Sequence, residues 1–327
     1  MSRQNVIDNE RKRGDYTMFI DKLVWVGVLC LLQAAFLIFA YLQLREHYFS
    51  IQFVMTAISI VVVLYIINRP INPAYKLAWG ITILIIPVFG GFFYLLLSVN
   101  STRRAFRKSI RDAVTESKTH LAQDTAILEQ IEDYSKHAVP QARYIYNLAK
   151  YPVYQNTSVQ YFASGEEMFI ALLDELEKAK HFIFMEYFII NNGIMLKNIL
   201  NILKEKASLG VDVRIIYDDM GSIAMLSTNY PKQLSTYGIK CIPFNKVSPF
   251  KGIFMNNRDH RKMTIIDGKV AFSGGVNISD EYININSKLG VWKDNGIKIE
   301  GDAVFNFTVM FCSLWNANIK EDEDLLK

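Results

Sequence analysis

Only three cysteines occur in 327 residues, Cys30, Cys241 and Cys312, far apart in sequence and in no metal-ligand spacing. Neither a disulfide framework nor a metal site is indicated, and a reducing compartment would leave all three as thiols. Nothing in the chain calls for a cofactor. The net charge is only +4, so the whole protein is no polycation. No small-residue cleavage pattern follows the first apolar run, and the polar leader, residues 1–22, is expected to belong to a retained anchor rather than a removable signal peptide.

Apolar residues are abundant, 51% of the chain, and unevenly spread. Leu23 to Leu44 carries no charge, and its 22 residues would rise about 33 Å as a helix, enough to cross a hydrocarbon core of about 30 Å. Phe53 to Ile67 is a shorter run, and Leu77 to Leu97 a long one with Pro87 and Gly90-Gly91 inside it. Residues 23–97 are therefore expected to form a transmembrane region of two or three spans. The basic cluster Arg103, Arg104, Arg107, Lys108 and Arg111 follows, favouring the cytoplasmic side and suiting anionic headgroups. The leader is basic as well, with Arg3, Arg11, Lys12, Arg13 and Lys22. Three full crossings would put both basic flanks on opposite sides, so either the leader lies outside despite its charges or the short run does not cross. The expected location is a multi-pass protein of the cell membrane, its catalytic part in the cytoplasm.

Residues 98–150 read as a basic juxtamembrane and helical linker ending near Pro140, and the globular part, residues 151–320, follows. Glu166 to Lys180 has the apolar spacing of an amphipathic helix, with Ser164 as its cap. A strand over Phe182 to Ile190, a helix from Met195 to Leu209 and a strand from Val211 to Tyr217 suggest a parallel unit within a covered sheet. Glu186 lies inside the first of these strands. Satisfaction by backbone donors or a neighbouring base is its expected state, with the orientation of a site group as the alternative. Asp218 and Asp219 read as caps of the loop at Gly221-Ser222. His47, His120, His137 and His181 have no partner at a spacing that suggests chemistry, and Lys293 beside Trp292 reads as a solvated charge.

The chemistry concentrates in Asn257-Arg258-Asp259-His260-Arg261-Lys262-Met263-Thr264-Ile265-Ile266-Asp267-Gly268. In an extended chain residues i and i+2 point the same way, so His260 and Lys262 project side by side. Gly274-Gly275-Val276-Asn277 comes next, where glycines let the backbone approach a ligand and Asn277 offers amide donors. Imidazole, ammonium and carboxamide together suit a phosphoryl group whose charge must be stabilised in the transition state.

The spacing His-x-Lys-x4-Asp-x6-Gly-Gly-x-Asn resembles the phospholipase D superfamily. The runs Gly210 to Ser222, Asn277 to Tyr282, Trp292-Lys293-Asp294 and Asn72 to Trp79 are similar to bacterial cardiolipin synthases of that type, a resemblance covering roughly residues 50 to 320. It implies an α/β fold, a phospholipase D-like domain with a mixed or parallel sheet covered by helices, preceded by the α-helical transmembrane region. It implies a phosphatidyltransferase in which His260 attacks phosphatidylglycerol, glycerol departs, and a second phosphatidylglycerol takes the phosphatidyl group from the histidine to give cardiolipin. Lys262 and Asn277 would stabilise the phosphoryl oxygens. Asp294 matches the family's acid that fixes the tautomer of the nucleophilic histidine, while Asp267 completes the motif and reads more as the holder of the turn into Gly268. The mechanism needs no metal.

Such enzymes carry two His-Lys-Asp segments, and this sequence has one. Either it is a fragment or two chains pair, and the expected partners are phosphatidylglycerol and anionic membrane lipid with a homodimer or a second phospholipase D-like half; the membrane runs favour lipid over nucleic acid. The alternatives are a phospholipase D-type phosphodiesterase and a truncated, non-catalytic lipid-binding half-protein.

Overall fold

A computed structural model describes residues 48–85, 101–246, 258–285 and 290–319, together with positions 38, 41, 42 and 94. The chain divides into two compact units, Met1–Val99 and Asn100–Lys327.

In the first unit, helix α1 (Tyr48–Ile67) ends at a turn and helix α2 (Pro73–Ile85) begins. Asn68 closes α1 by donating from Nδ2 to the Leu64 carbonyl at 2.9 Å, and the Asn72 side chain accepts from Ala74 N at 2.9 Å. Asn72 thereby caps α2, and Pro73 takes the first helical position, where its missing N–H is no loss. Ile66, Ile83 and Tyr94 are buried together, with the Trp79 and Tyr94 rings edge-on at 5.5 Å.

No helix among the described residues is long and apolar enough to cross a membrane. This corrects the transmembrane region expected over residues 23–97. The apolar run Phe53 to Ile67 ends at the Asn68–Asn72 turn after a rise of about 22 Å, short of about 30 Å of hydrocarbon. The leader, most of the run from Leu23 to Leu44 and most of residues 86–97 lie outside the described residues.

The second unit opens with helices α3 (Ser101–Ser117), α4 (Thr125–Tyr134) and α5 (Ala138–Ala149). Asp124 caps α4 by accepting from Ala126 N, and Pro140 falls in the first turn of α5. Then come β1 (Thr157–Phe162), α6 (Gly165–Lys178), β2 (Phe182–Tyr187), α7 (Ile194–Ser208), β3 (Asp212–Asp218), the one-turn α8 (Asp219–Ser222), α9 (Tyr230–Ser235), β4 (Lys240–Phe244), β5 (Lys262–Ile266), β6 (Val270–Gly274), β7 (Gly296–Gly301) and α10 (Val304–Asn318). The expected cap holds: the Ser164 hydroxyl accepts from Glu167 N at 3.3 Å, while the Glu167 carboxylate accepts from Ala163 N at 3.2 Å.

The seven strands form one sheet in the order β1-β7-β6-β5-β2-β3-β4. β2, β3 and β4 run parallel, whereas β5, β6, β7 and β1 pair antiparallel, so of the two sheet types expected the mixed one is found. Alternation divides β2 between two cores. Ile183, Met185 and Tyr187 join Leu172, Ile199 and Phe272 beneath α6 and α7. Phe184 joins Ile216, Ile265, Phe311 and Trp315 beneath α10, with the Phe184 and Phe311 rings stacked at 4.6 Å. α3 packs on this second layer through Ile110, and Ser109 Oγ donates to the Ala317 carbonyl at 3.0 Å. Cys241 and Cys312 are in no disulfide, and burial pushes the Cys241 thiol up.

Phe311 has no exposed surface and stacks on both Phe184 and Trp315. Phe311→Ala should therefore lower the unfolding free energy by about 3–5 kcal/mol, measured by urea denaturation followed through tryptophan fluorescence.

Candidate active site

β2 and β5 meet antiparallel with Tyr187 opposite Lys262 and Glu186 opposite Met263. That register brings the C-terminal end of β2 level with the start of β5, and the functional side chains gather there. His260 is exposed, just ahead of β5, and Lys262 is 95% buried at its first position. Phe188, the residue after β2, is the wall they share: its ring lies 4.7 Å from the His260 ring and 5.3 Å from Lys262 Nζ. The ammonium also donates to the His260 carbonyl at 2.7 Å, tying the two residues together. Burial lowers the pKa of Lys262, opposed by the charges of Asp259 and Asp294.

Two loops complete the rim. Asn277 is buried after β6; its Oδ1 accepts from Ile189 N at 2.9 Å and its Nδ2 donates to the Tyr282 hydroxyl at 2.8 Å. One hydrogen of that amide has no acceptor among the described residues. Asp280 uses both carboxylate oxygens on the amides of Ile194 and Met195, at 3.0 and 2.9 Å, and so caps α7 from a distance. Asn284, in the left-handed region at φ 55°, pairs through its amide with both backbone groups of Trp292, at 2.6 and 3.0 Å. This clamp fixes the segment that carries Asp294.

Asp294 senses Lys262 and Tyr282 electrostatically, and its Oδ1 accepts from Asn295 N at 2.8 Å. Among the described residues no hydrogen bond joins it to His260. It lies so close to Gly275 that a Cβ there would come within 2.0 Å of Oδ1, and a Cβ at Gly274 within 2.5 Å of the Asn295 carbonyl. The glycines, expected to admit a ligand, make room for the Asp294 carboxylate and the Asn295–Gly296 backbone.

Asp267 is not at this rim. It sits past the far end of β5, about 17 Å of strand away, in an Asp-Gly hairpin turn where both residues have positive φ, 52° and 65°. Its carboxylate accepts from the amides of Lys180, His181 and Phe182 at 2.8 to 2.9 Å. Burial opposes ionisation there, yet these hydrogen bonds outweigh it and hold the carboxyl below its usual range.

The sequence did not single out Phe188, Arg258, Asp259, Arg261, Tyr282 and Asn284. Asp218, expected as a loop cap, caps α8 through Met220 N and Gly221 N at 3.0 Å and also accepts from Arg258 at 3.2 Å and Asp259 N at 3.0 Å. It thus pins the chain immediately before His260. Strand parity was the available signal for Asp259 and Arg261, which alternate with His260 and Lys262. Lys293, His120, His137 and His181 are exposed, as read, and His47 lies outside the described residues.

Residues 172–315 match the family described as cardiolipin synthase, PLD-like domain, and residues 57–98 match the phospholipase D-nuclease N-terminal region. An uncharacterized protein of Streptococcus mutans is 38% identical over 80% of this chain and 57% of its own length. A cardiolipin synthase of Geobacillus sp. strain WCH70 is 34% identical over 80% of this chain and 52% of its own. The chain spans about half the length of the curated relatives it matches. A solved phospholipase D family member, Nuc from Salmonella typhimurium, is 21% identical over 50% of this chain and 96% of its own, with a TM-score of 0.39.

Removing the Asp267 carboxylate leaves three amides unpaired, so Asp267→Ala should cost about 2–3 kcal/mol. A carboxyl held below its unfolded pKa stabilises the fold above that value and loses the effect as pH falls through the folded one. The variant's deficit, read by thermal unfolding, should therefore be full near neutrality and shrink in acid below the ordinary aspartate value of 3.8.

Proposed function

We propose, since the chain belongs to the cardiolipin synthase family of phospholipase D-like proteins, that it supplies half of a site transferring a phosphatidyl group between two phosphatidylglycerol molecules. Residues 151–320 are the first half of the phospholipase D-like domain in this reading, and residues 98–150 are a segment preceding it. The second half comes from another copy of this chain or from a second phospholipase D-like half. Because both substrates are lipids, the site works at a membrane surface.

The observation that carries the reading is the exposed His260 imidazole, packed with the buried Lys262 ammonium against one ring, Phe188. An imidazole nitrogen attacks phosphorus, the bond from phosphorus to the glycerol oxygen breaks, and that oxygen takes a proton from the imidazole of the other half. The terminal hydroxyl of a second phosphatidylglycerol then attacks. It returns its proton to that imidazole as the phosphorus–nitrogen bond breaks, and the products are cardiolipin and glycerol. Lys262 and the remaining amide hydrogen of Asn277 stabilise charge on the phosphoryl oxygens. Asp294 holds the tautomer of His260 once substrate closes the site. Asp267 takes no proton in this scheme and serves by anchoring the hairpin that ends β5.

The test is release of cardiolipin and glycerol in equal amounts from phosphatidylglycerol liposomes by the full chain, prepared from a host lacking its own synthases. His260→Ala should abolish both products. Asp294→Asn should slow the reaction by about a hundredfold or more, the cost of a misassigned tautomer. Phosphatidic acid in place of cardiolipin would mean transfer to water, and equal product from His260→Ala would overturn the reading. Because burial lowers the pKa of Lys262, the alkaline limb of the rate should fall below the ordinary lysine value of 10.5; Lys262→Met should remove that limb along with most of the rate.

A further inference from the structure

The residues on either side of His260 turn away from it, to the other face of the sheet. There Asp259 and Arg261 meet Glu186, a carboxylate with no exposed surface on the central strand β2. Arg261 Nε lies 2.6 Å from Glu186 Oε1 and 3.0 Å from Asp259 Oδ1, so a single N–H faces two carboxylates. Both Glu186 oxygens and Asp259 Oδ2 are buried without a well-directed hydrogen bond. The two carboxyl groups thus flank the same guanidinium N–H, and the Asp259 charge acts on the Glu186 carboxyl.

A lone guanidinium cannot neutralise two buried carboxylates, and the uncompensated charge would be costly. Carboxylates that share a site avoid the cost by sharing a proton. The other groups do not remove the excess: Tyr151 faces Glu186 and Arg261 as a neutral phenol, Lys262 senses Asp259 from the opposite face, and Arg258 is matched by Asp218, which it meets at 3.2 Å and which also accepts from Asp259 N. Burial pushes Glu186 well above the usual carboxylate range; Arg261 opposes this and Asp259 adds to it.

We propose that Glu186 is a positioning residue acting as a neutral acid: one proton held between Glu186 and Asp259 balances Arg261, satisfies two of the orphaned oxygens and fixes the backbone on both sides of His260. Its effect on rate rests on the reading of His260 as nucleophile, but the proton itself can be measured without activity. A group whose pKa is raised on folding contributes stability that is complete below its unfolded value and is lost as pH rises through the folded one. The wild-type unfolding temperature should thus fall with rising pH above the ordinary glutamate value of 4.5, by more than in Glu186→Gln, which has no such proton to lose.

The experiment compares full-length wild type, Glu186→Gln and Glu186→Ala by thermal unfolding across pH and by formation of the phosphatidyl-enzyme on phosphatidylglycerol vesicles. Glu186→Gln should flatten the slope and keep the rate within about threefold, whereas Glu186→Ala should lose about a hundredfold through displacement of the His260 segment. An unchanged slope in Glu186→Gln, or a loss equal to that of Glu186→Ala, would overturn the proposal. If even wild type forms no phosphatidyl-enzyme, the functional reading falls, and the slope alone still decides the charge state of Glu186.

Discussion

Everything at the site depends on the register in which β2 and β5 meet. Tyr187 opposite Lys262 sets the level at which both strands open, and strand alternation sorts their neighbours between the two faces. His260 and Lys262 fall to one face, against Phe188. Asp259 and Arg261 fall to the other, against Glu186. A slip of one residue would exchange the two sets, putting Asp259 and Arg261 where His260 and Lys262 stand. The hairpin from β5 to β6 and the parallel pairing of β2 with β3 hold the register from both sides.

Carboxylates act here chiefly as pins for the backbone. Asp218 holds the chain before His260, Asp267 holds the entrance to β2 and Asp280 caps α7, each accepting from two or more amides. Charge-assisted bonds of this kind are about twice as strong as neutral ones. They fix segments that belong to no strand, so the loops of the rim inherit the rigidity of the sheet. Among the described residues at the rim, the His260 ring, the Lys262 ammonium and one hydrogen of the Asn277 amide are polar groups that can turn to a ligand.

Much of this was legible in sequence because it is local. Ser164 as a cap, the helix after it, the strands around Glu186 and Val213 and the common side of His260 and Lys262 all follow from periods of 3.6 and 2. Contacts distant in sequence were not legible. The match of Gly275 to Asp294 and of Glu186 to Arg261 requires the order of the strands, and without it the glycines read as space for a ligand. Asp267 could be placed in a turn by its Asp-Gly step, but not seen to gather three amides from the start of β2. In the first unit, apolar content suggested spans, whereas no helix among the described residues is long and apolar enough to cross a membrane.

The central claim is that the His260 imidazole becomes covalently bonded to phosphorus, and the most direct test is acid-quenched peptide mapping by mass spectrometry after mixing the full chain with phosphatidylglycerol vesicles. The account predicts a phosphatidyl group on the peptide containing His260, attached to that residue and discharged when more phosphatidylglycerol is supplied. A phosphatidyl group on any other residue, or turnover with no adduct at His260 under the same quench, would contradict it.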